Sequence, residues 1–423
     1  MKITRTLLGD KRLWRPVYGR YNPDIMRRRL DGLATAGVTR SKLDASRAFA
    51  DRAFAHYYQV KKSPHYGFVF AIPTRINRRN DDYISEARHF LPIVDELAPD
   101  VVQVLMSELP PVVLDEYHDR DGRAVGAVVF IPIFSDMLRD IRPRIRTKLK
   151  VNKIIKDAAR FASKTLHAEI IGLGATLSKM THFGKDFSRR GIVATTGHAG
   201  TVHLIYTEFS ELVDRNFSGT VGVVGAGSIS ASAAAMILDA YPSARVVMYD
   251  IRPKVLRDVV AGLCRTYGRD RAVVASSNDD VLRQGQVIIS AITAQLSIDE
   301  SIDLTDKVII DDSQPGSFSR KEVEARGGTL VWVVGHDHSR RKVLTRRSRF
   351  RYGDEGLCES GDVWGCEAEV ASLWLMKQTH LAVDDQVTPE IVRRVGAVMD
   401  TAGVGRARWQ VAGQPVTLKR KRS

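Results

Sequence analysis

Three stretches of the 423-residue chain predict an α/β fold built on a doubly wound parallel sheet. Thr220-Val-Gly-Val-Val-Gly225-Ala-Gly227-Ser-Ile-Ser230 runs an apolar strand into a glycine turn that opens a small-residue helix. Val246-Val-Met-Tyr-Asp250-Ile-Arg252 is a second strand that ends on an acidic residue. Val287-Ile-Ile-Ser-Ala291 and Val308-Ile-Ile-Asp-Asp312 are continuous apolar runs, the pattern of strands buried on both faces. Each closes on polar residues, at the edge where such sheets bind ligands.

The turn has the order of parts that a dinucleotide site requires: strand, glycines, helix, then an acidic residue roughly 20 positions on. Gly225 permits the tight turn. Gly227 lets backbone N–H groups approach a pyrophosphate at the positive end of the following helix. Ser230 stands where the third glycine of this fingerprint often sits. Asp250 is placed to accept hydrogen bonds from a ribose, and Arg252 to face a 2′-phosphate. The two residues point to different cofactors, so NAD and NADP both stay open. Ala291, at the end of the third strand, joins the expected cofactor contacts.

Length and composition suit two or three domains, with 44% hydrophobic residues and no extended low-complexity tract. Met1-Lys-Ile-Thr-Arg-Thr-Leu-Leu-Gly-Asp-Lys-Arg lacks the apolar core of roughly 7–15 residues of a signal peptide. The longest strongly apolar run, near Ala124 to Phe134, falls below the roughly 18 residues of a membrane span. A cytoplasmic protein is expected. Cys264, Cys358 and Cys366 show no metal-ligand spacing, which argues against a disulfide framework or a zinc site. His336-Asp-His338 lacks a third ligand nearby and reads as a surface turn.

A net charge of +15 favours anionic partners. The surplus gathers in Arg139 to Lys153, in Arg340 to Arg351 and in the tail Lys419-Arg-Lys-Arg. Without a recognition motif or interleaved aromatics, these runs argue against nucleic acid. An acidic protein or a peripheral contact with an anionic membrane fits them better.

Along the chain, residues 1–62 form a basic, helix-prone leader with a helix start at Pro23. Residues 63–215 form an α/β substrate domain. It opens with Phe68-Val-Phe-Ala-Ile and continues through a hairpin whose arms, Val112 onward and Ala124 onward, meet at an Asp-Gly turn. Helical spacing covers Lys150 to Glu169, and a glycine-bearing loop, Thr195-Thr196-Gly197-His198-Ala-Gly-Thr, precedes a helix from about Val202 to Val213. Residues 216–337 are the Rossmann-type dinucleotide-binding domain. Residues 338–423 supply a basic linker and helices from Val363 to Lys377 and Pro389 to Ala402, expected to complete the substrate domain.

The succession Gly67-Phe-Val-Phe-Ala-Ile, Ile171-Gly-Leu-Gly-Ala, the Thr-Thr-Gly-His loop, the glycine turn, Ile310-Asp-Asp-Ser-Gln-Pro and Trp364-Gly-Cys366-Glu-Ala-Glu resembles the cyanobacterial long-chain fatty acyl-(acyl-carrier-protein) reductases. The resemblance spans residues 66–404. It implies an acyl-thioester reductase in which a cysteine takes the acyl group and NADPH reduces it to an aldehyde. Acidic acyl carrier protein or acyl-CoA would be the substrate, NADH being the alternative reductant that Asp250 leaves open. Cys366 matches the cysteine motif, and the Thr196-Gly197 loop joins the cofactor contacts. The sequence agrees with that choice: Asp362 suits an N-cap, which puts Cys366 in the first turn of a helix, where exposed N–H groups stabilise a thiolate. His198 is the candidate proton donor. Two features depart from the family: its GATGxxG turn is here Gly225-Ala-Gly-Ser-Ile-Ser, and its Asp-Gly-Gly-Tyr-Pro is here Asp311-Asp-Ser-Gln-Pro. Two alternatives therefore stand beside thioester reduction: a non-covalent NAD(P)-dependent dehydrogenase of a small carbonyl or amino compound, and a nucleotide-sensing module.

Overall fold

In the computed structural model the described residues are 2–4, 8, 13–14, 21–58, 65–74, 91–134, 145–292, 294–313, 316–339, 344–348, 357, 359–384 and 387–418. The chain divides into two compact units, Met1–Thr196 with Thr345–Gly353, and Gly197–Leu344 with Asp354–Ser423. The basic runs 139–144, 340–343 and 349–351, the tail 419–423 and Cys358 lie outside the described residues.

In the first unit, α1 (Pro23–Thr35) and α2 (Arg40–Tyr58) precede strand β1 (Phe68–Thr74). They are followed by α3 (Pro99–Met106), β2 (Val112–His118), β3 (Ala124–Phe134), α4 (Ile145–Arg160), β4 (Ile170–Leu173), two single-turn helices, and β5 (Val193–Thr195). The strands form one mixed sheet, β2-β3-β1-β4-β5, with Thr345–Ser348 added antiparallel on the outer edge of β2. β2 and β3 are the expected hairpin. Its Asp-Gly turn closes as Gly122 adopts a left-handed φ of 78° and donates to Asp119 O at 2.9 Å.

The first 62 residues are not a separate leader. Arg29 on α1, 1% exposed, pairs with Glu108 at 2.9 Å and donates to the Val104 carbonyl at 3.2 Å. Ser46 Oγ on α2 accepts from Ile93 N–H. Leaving either charge of the Arg29–Glu108 pair alone in the core would cost about 3–5 kcal/mol, so this pair ties the leader into the unit. The helix expected from Lys150 to Glu169 begins earlier, at Ile145, and ends earlier, in a wide turn over Phe161–Thr165.

In the second unit, α5 (His198–Leu212) leads into the doubly wound sheet of six strands: β6 (Thr220–Val224), β7 (Arg245–Tyr249), β8 (Ala272–Val274), β9 (Val287–Ser290), β10 (Val308–Asp311) and β11 (Thr329–Trp332). All pairings are parallel and the spatial order is β11-β10-β9-β6-β7-β8, so the winding reverses between β9 and β6. Helix α6 (Ser228–Ala240) follows β6, and α7 (Pro253–Tyr267) follows β7. Val224, Val247, Ile288, Ile309 and Leu330 meet in one buried cluster, which is why their strands carry uninterrupted apolar runs.

The C-terminal helices α8 (Gly365–Leu375) and α9 (Pro389–Ala402) belong to this unit instead of completing the substrate domain, and α5 joins them. Small residues explain the grouping. A Cβ on Gly200 would lie 2.7 Å from both Glu369 Cβ and Gly365 O, and one on Gly396 would lie 2.3 Å from the His203 ring. The three helices approach at distances that larger side chains forbid. His336-Asp337-His338 is no surface turn: Gly335–Asp337 is the middle strand of a three-stranded antiparallel sheet, and His336 Nδ1 lies 2.7 Å from Asp362 Oδ1.

Candidate functional site

Open parallel sheets bind ligands outside the carboxyl ends of their strands where the winding reverses, which here is the crevice between β9 and β6. The turn after β6 sits at its rim. Gly225 has φ +92°, and a Cβ there would lie 2.6 Å from Ile292 Cγ2, so no other residue fits. Gly227 is different: a Cβ there would meet nothing within 4 Å. Gly227 is also the N-cap of α6, and no side chain caps that helix. The space beside it and the N–H groups at the helix start suit an anion such as a pyrophosphate. Ser230, fully buried in the first turn of α6, has an Oγ without a hydrogen-bond partner, and this atom lies 3.5 Å from the position of a Gly225 Cβ. A buried hydroxyl left unsatisfied at a turn is a second feature that a bound phosphate would complete.

At the end of β7, Asp250 is almost fully engaged by the protein itself. Oδ2 accepts from Ala226 N–H at 2.7 Å, which ties the glycine turn to the neighbouring strand. Arg252 donates from its backbone N–H and Nε to Oδ1, both at 2.8 Å, and from Nη2 to Oδ2 at 2.7 Å. Burial alone would raise the Asp250 carboxyl; the bonds from Arg252 and Ala226 outweigh it and bring it down to about 2. A ribose meets an acceptor already holding four donors. The Arg252 side chain is half exposed and covers it.

The other half of the crevice is formed by the ends of β9 and β10. Asp312 N–H donates to Ser290 O at 2.8 Å, Ile292 N–H to Ser313 Oγ at 3.0 Å, and Ser290 and Ser317 share a hydrogen bond of 2.7 Å. Ala291 lies within this junction. The Asp311 carboxylate organises the loop after β10 by accepting from the N–H groups of Ser313 and Ser317. Burial raises the Asp311 carboxyl, and burial together with Asp311 drives Asp312 well above the usual carboxylate range.

Cys366 is the second residue of α8 and is partly exposed. The cap of this helix is Trp364, whose N–H donates to the Glu367 carboxylate at 3.2 Å, and Asp362 is not the cap. Asp362 instead bonds His336, the Glu359 N–H and Gln410. The expected thiolate meets the wrong surroundings: burial, then Glu367, Asp312 and Glu369, push the Cys366 thiol up, and the backbone N–H of the helix start opposes them only in part. Gly197, N-cap of α5 with φ +72°, packs directly on this cysteine; a Cβ there would lie 2.2 Å from Cys366 Cβ. His198 is the first residue of α5 and 7% exposed, a helix residue where a loop was expected. Thr196 is buried and ends the first unit. The structure thus brings Gly225, Gly227, Ser230, Asp250, Arg252 and Ala291 to one sheet edge, and puts Gly197 against Cys366.

Sequence reasoning passed over Asp312. The available signal was the Asp311-Asp312 pair at the end of an apolar strand, a costly place for two carboxylates. Among the described residues no group of three or more His, Cys, Asp or Glu could hold a metal ion, and no helix is long and apolar enough to cross a membrane.

No protein-family model matches the chain, and no curated protein matches it either. Solved structures give distant likenesses. L-tryptophan dehydrogenase from Nostoc punctiforme is 11% identical with a TM-score of 0.35, covering 80% of this chain and 89% of that one. Quinate dehydrogenase from Corynebacterium glutamicum in complex with NAD is 12% identical with a TM-score of 0.34, covering 80% and 100%. Δ1-Pyrroline-2-carboxylate reductase from Thermococcus litoralis, in complex with NADH and L-proline, is 16% identical with a TM-score of 0.24. There the match covers 28% of this chain and only 37% of the reductase. Likenesses this distant carry neither family nor activity across. The doubly wound α/β fold stands on the strand order, and the site on its own geometry.

Proposed function

We propose that the second unit binds NAD(P)(H) and that the protein is an NAD(P)-dependent oxidoreductase acting on a small carbonyl or amino compound without covalent catalysis. The observation that carries this reading is the turn at Gly225–Gly227, with its open space, uncapped helix start and unsatisfied Ser230 hydroxyl. When bound, a nicotinamide dinucleotide supplies or accepts a hydride. The residues divide the remaining work. The N–H groups after Gly227 and the Ser230 hydroxyl hold the pyrophosphate, the Asp250–Arg252 pair faces the adenosine ribose, and the β9–β10 junction at Ala291 floors the nicotinamide end. NADP(H) is the preferred form in this reading, because the Arg252 fork neutralises Asp250 and keeps Nη1 free of it for a 2′-phosphate. The test is nicotinamide oxidation at 340 nm over a panel of small ketones, 2-oxo acids and imines, with wild type and Cys366→Ala. Equal turnover by both supports the reading.

A second reading, reduction of an acyl thioester through a Cys366 acyl-enzyme, is favoured by one observation: the Cys366 thiol lies close enough to Asp312 at the carboxyl edge to feel its charge. The carboxylates around the thiol weigh against it. In that reading the basic runs dock an acidic acyl carrier protein or acyl-CoA, or rest on an anionic membrane. Intact-mass spectrometry after incubation with an acyl thioester and no cofactor separates the two. A covalent adduct on Cys366 supports thioester reduction, and an unmodified mass supports the first reading.

A further inference from the structure

The first unit holds a cavity of about 560 Å³ that the cofactor reading does not use. Tyr21 and Asn22 at the head of α1, Tyr57 and Tyr58 at the end of α2, and Lys153 and Asp157 on α4 line it. The tyrosine rings stand nearly at right angles to one another. Tyr57 meets Tyr21 at 5.2 Å between ring centres and 74°, and Tyr58 at 5.2 Å and 82°. Phe161 backs the Tyr57 ring at 5.7 Å and Phe54 backs the Tyr58 ring at 6.5 Å, so both are held from behind. The Tyr58 hydroxyl donates to the Tyr21 carbonyl, which ties the end of α2 to the head of α1. The floor is polar. Tyr21 is 8% exposed, and its buried hydroxyl lies beside the Asp157 carboxyl group without closing a hydrogen bond of normal geometry. A buried hydroxyl left open in this way is a group that a ligand would complete. Burial first and then Asp157 push the Tyr57 hydroxyl up to about 12, against the pull of Arg160, so the Asp157 charge is felt among the rings. Lys153, one helical turn before Asp157, is exposed at the rim.

We propose that this cavity binds a small zwitterion, with its methylated ammonium group among the three tyrosine rings and over Asp157, and its carboxylate or phosphate on Lys153. Ring faces attract a cation, and a methylated ammonium brings no N–H donors that the ring walls would leave unsatisfied. The charges on α4 select a zwitterion over a simple cation. Lys153, together with Lys156 and Arg160 on the same helix, opposes the Asp157 charge and would repel a bare cation. An anionic group on the ligand turns that repulsion into a contact. The cavity has the size of a small-ligand site, which spans roughly 300–1,000 Å³. Nothing in this inference depends on the cofactor reading above.

Glycine betaine is the probe, and 3,3-dimethylbutanoate is its control, with the same shape and carboxylate but carbon in place of the cationic nitrogen. NMR saturation transfer from the full chain to the methyl line of each gives both affinities. Betaine is expected to bind at least about tenfold more tightly than the control. Tyr58→Ala, at a ring 57% exposed, should lower betaine affinity about three- to thirtyfold, the worth of a cation over an aromatic face, and Asp157→Asn by a similar factor. Phosphatidylcholine vesicles form a second arm. Co-sedimentation that Tyr58→Ala abolishes assigns the ammonium to a lipid headgroup, and binding of betaine alone assigns it to a free solute. Should a variant fail to fold, the wild-type comparison of betaine with its control decides alone. Equal affinities for the two probes, betaine affinity retained in both variants, or no binding of either betaine or the vesicles overturns the proposal.

Discussion

Arg252 grips Asp250 through three of its own donors, backbone N–H, Nε and Nη2, at 2.7–2.8 Å, while Ala226 of the glycine turn supplies the fourth. The strand end that reads in sequence as a choice between two cofactors is one unit: the acid anchors the turn, and the arginine covers the acid. Arg252→Ala frees the Asp250 oxygens for a ribose diol and removes the cation that a 2′-phosphate would meet. The expected outcome is a rise in the Kd for NADPH of about ten- to a hundredfold, with the Kd for NADH unchanged or lower. Cofactor fluorescence titration of the two forms checks it, and a parallel change in both affinities would count against the assignment.

Glu208 on α5 carries a pH dependence that can be read without any ligand. Trp409 Nε1 donates to its carboxylate at 2.6 Å, and the residue is 1% exposed. Burial, helped by Glu211, raises it from 4.5 to about 7 against the pull of Arg406 and Trp409. The folded protein therefore holds a proton that the unfolded chain has released between those values. The Glu208 contribution to stability is greatest below pH 4.5, falls as pH rises to about 7, and then levels off. Urea unfolding of wild type and Glu208→Gln across pH 4–8 should show this decline in the difference between the two, with tryptophan emission shifting over the same range in wild type. The shift should vanish in Glu208→Gln, and a slope unchanged in that variant would exclude Glu208 as its source.

Gly197 and Cys366 make a packing prediction. Gly197→Ala puts a Cβ 2.2 Å from Cys366 Cβ at a backbone φ of +72°. The combined left-handed strain and overpacking should cost about 2–5 kcal/mol. Cys366→Gly removes only the nearer clashing atom, because the Cα of residue 366 would still lie 2.6 Å from the new Cβ, so the double variant should recover only a small part of that loss in a double-mutant cycle. A Gly197→Ala variant as stable as wild type would mean that the two residues do not meet.

What the sequence made legible follows from how each element buries its surface. β6, β7, β9 and β10 lie between helices, so their apolar runs are uninterrupted and stand out. β8 was missed because it is a three-residue edge strand whose Val273 and Val274 remain about half exposed, and β11 because four residues after a glycine pair carry little pattern. The unit boundaries were obscured by long-range partners: Arg29 finds Glu108, and Gly365 finds Thr201, across stretches that no local signal links. At the site, the position of Cys366 in a first helical turn was legible, but its chemistry was not. Burial first, then Glu367 and Asp312, outweigh the helix start there, and neither the burial nor the approach of Asp312 from a strand end has a local signal.

The central claim, a dinucleotide held at the turn after β6, is tested most directly at Gly227. Its φ is −71° and nothing lies within 4 Å of a Cβ there, so a β-carbon is accommodated and Gly227→Val costs the fold about 1 kcal/mol as a poorer helix N-cap. The same side chain fills the space that a pyrophosphate would need. Titration of NADPH into wild type and Gly227→Val, alongside thermal unfolding of each, should give melting temperatures within a few degrees of each other without cofactor and an affinity lower in the variant by at least about tenfold. NADPH binding of equal strength to both proteins would contradict the account.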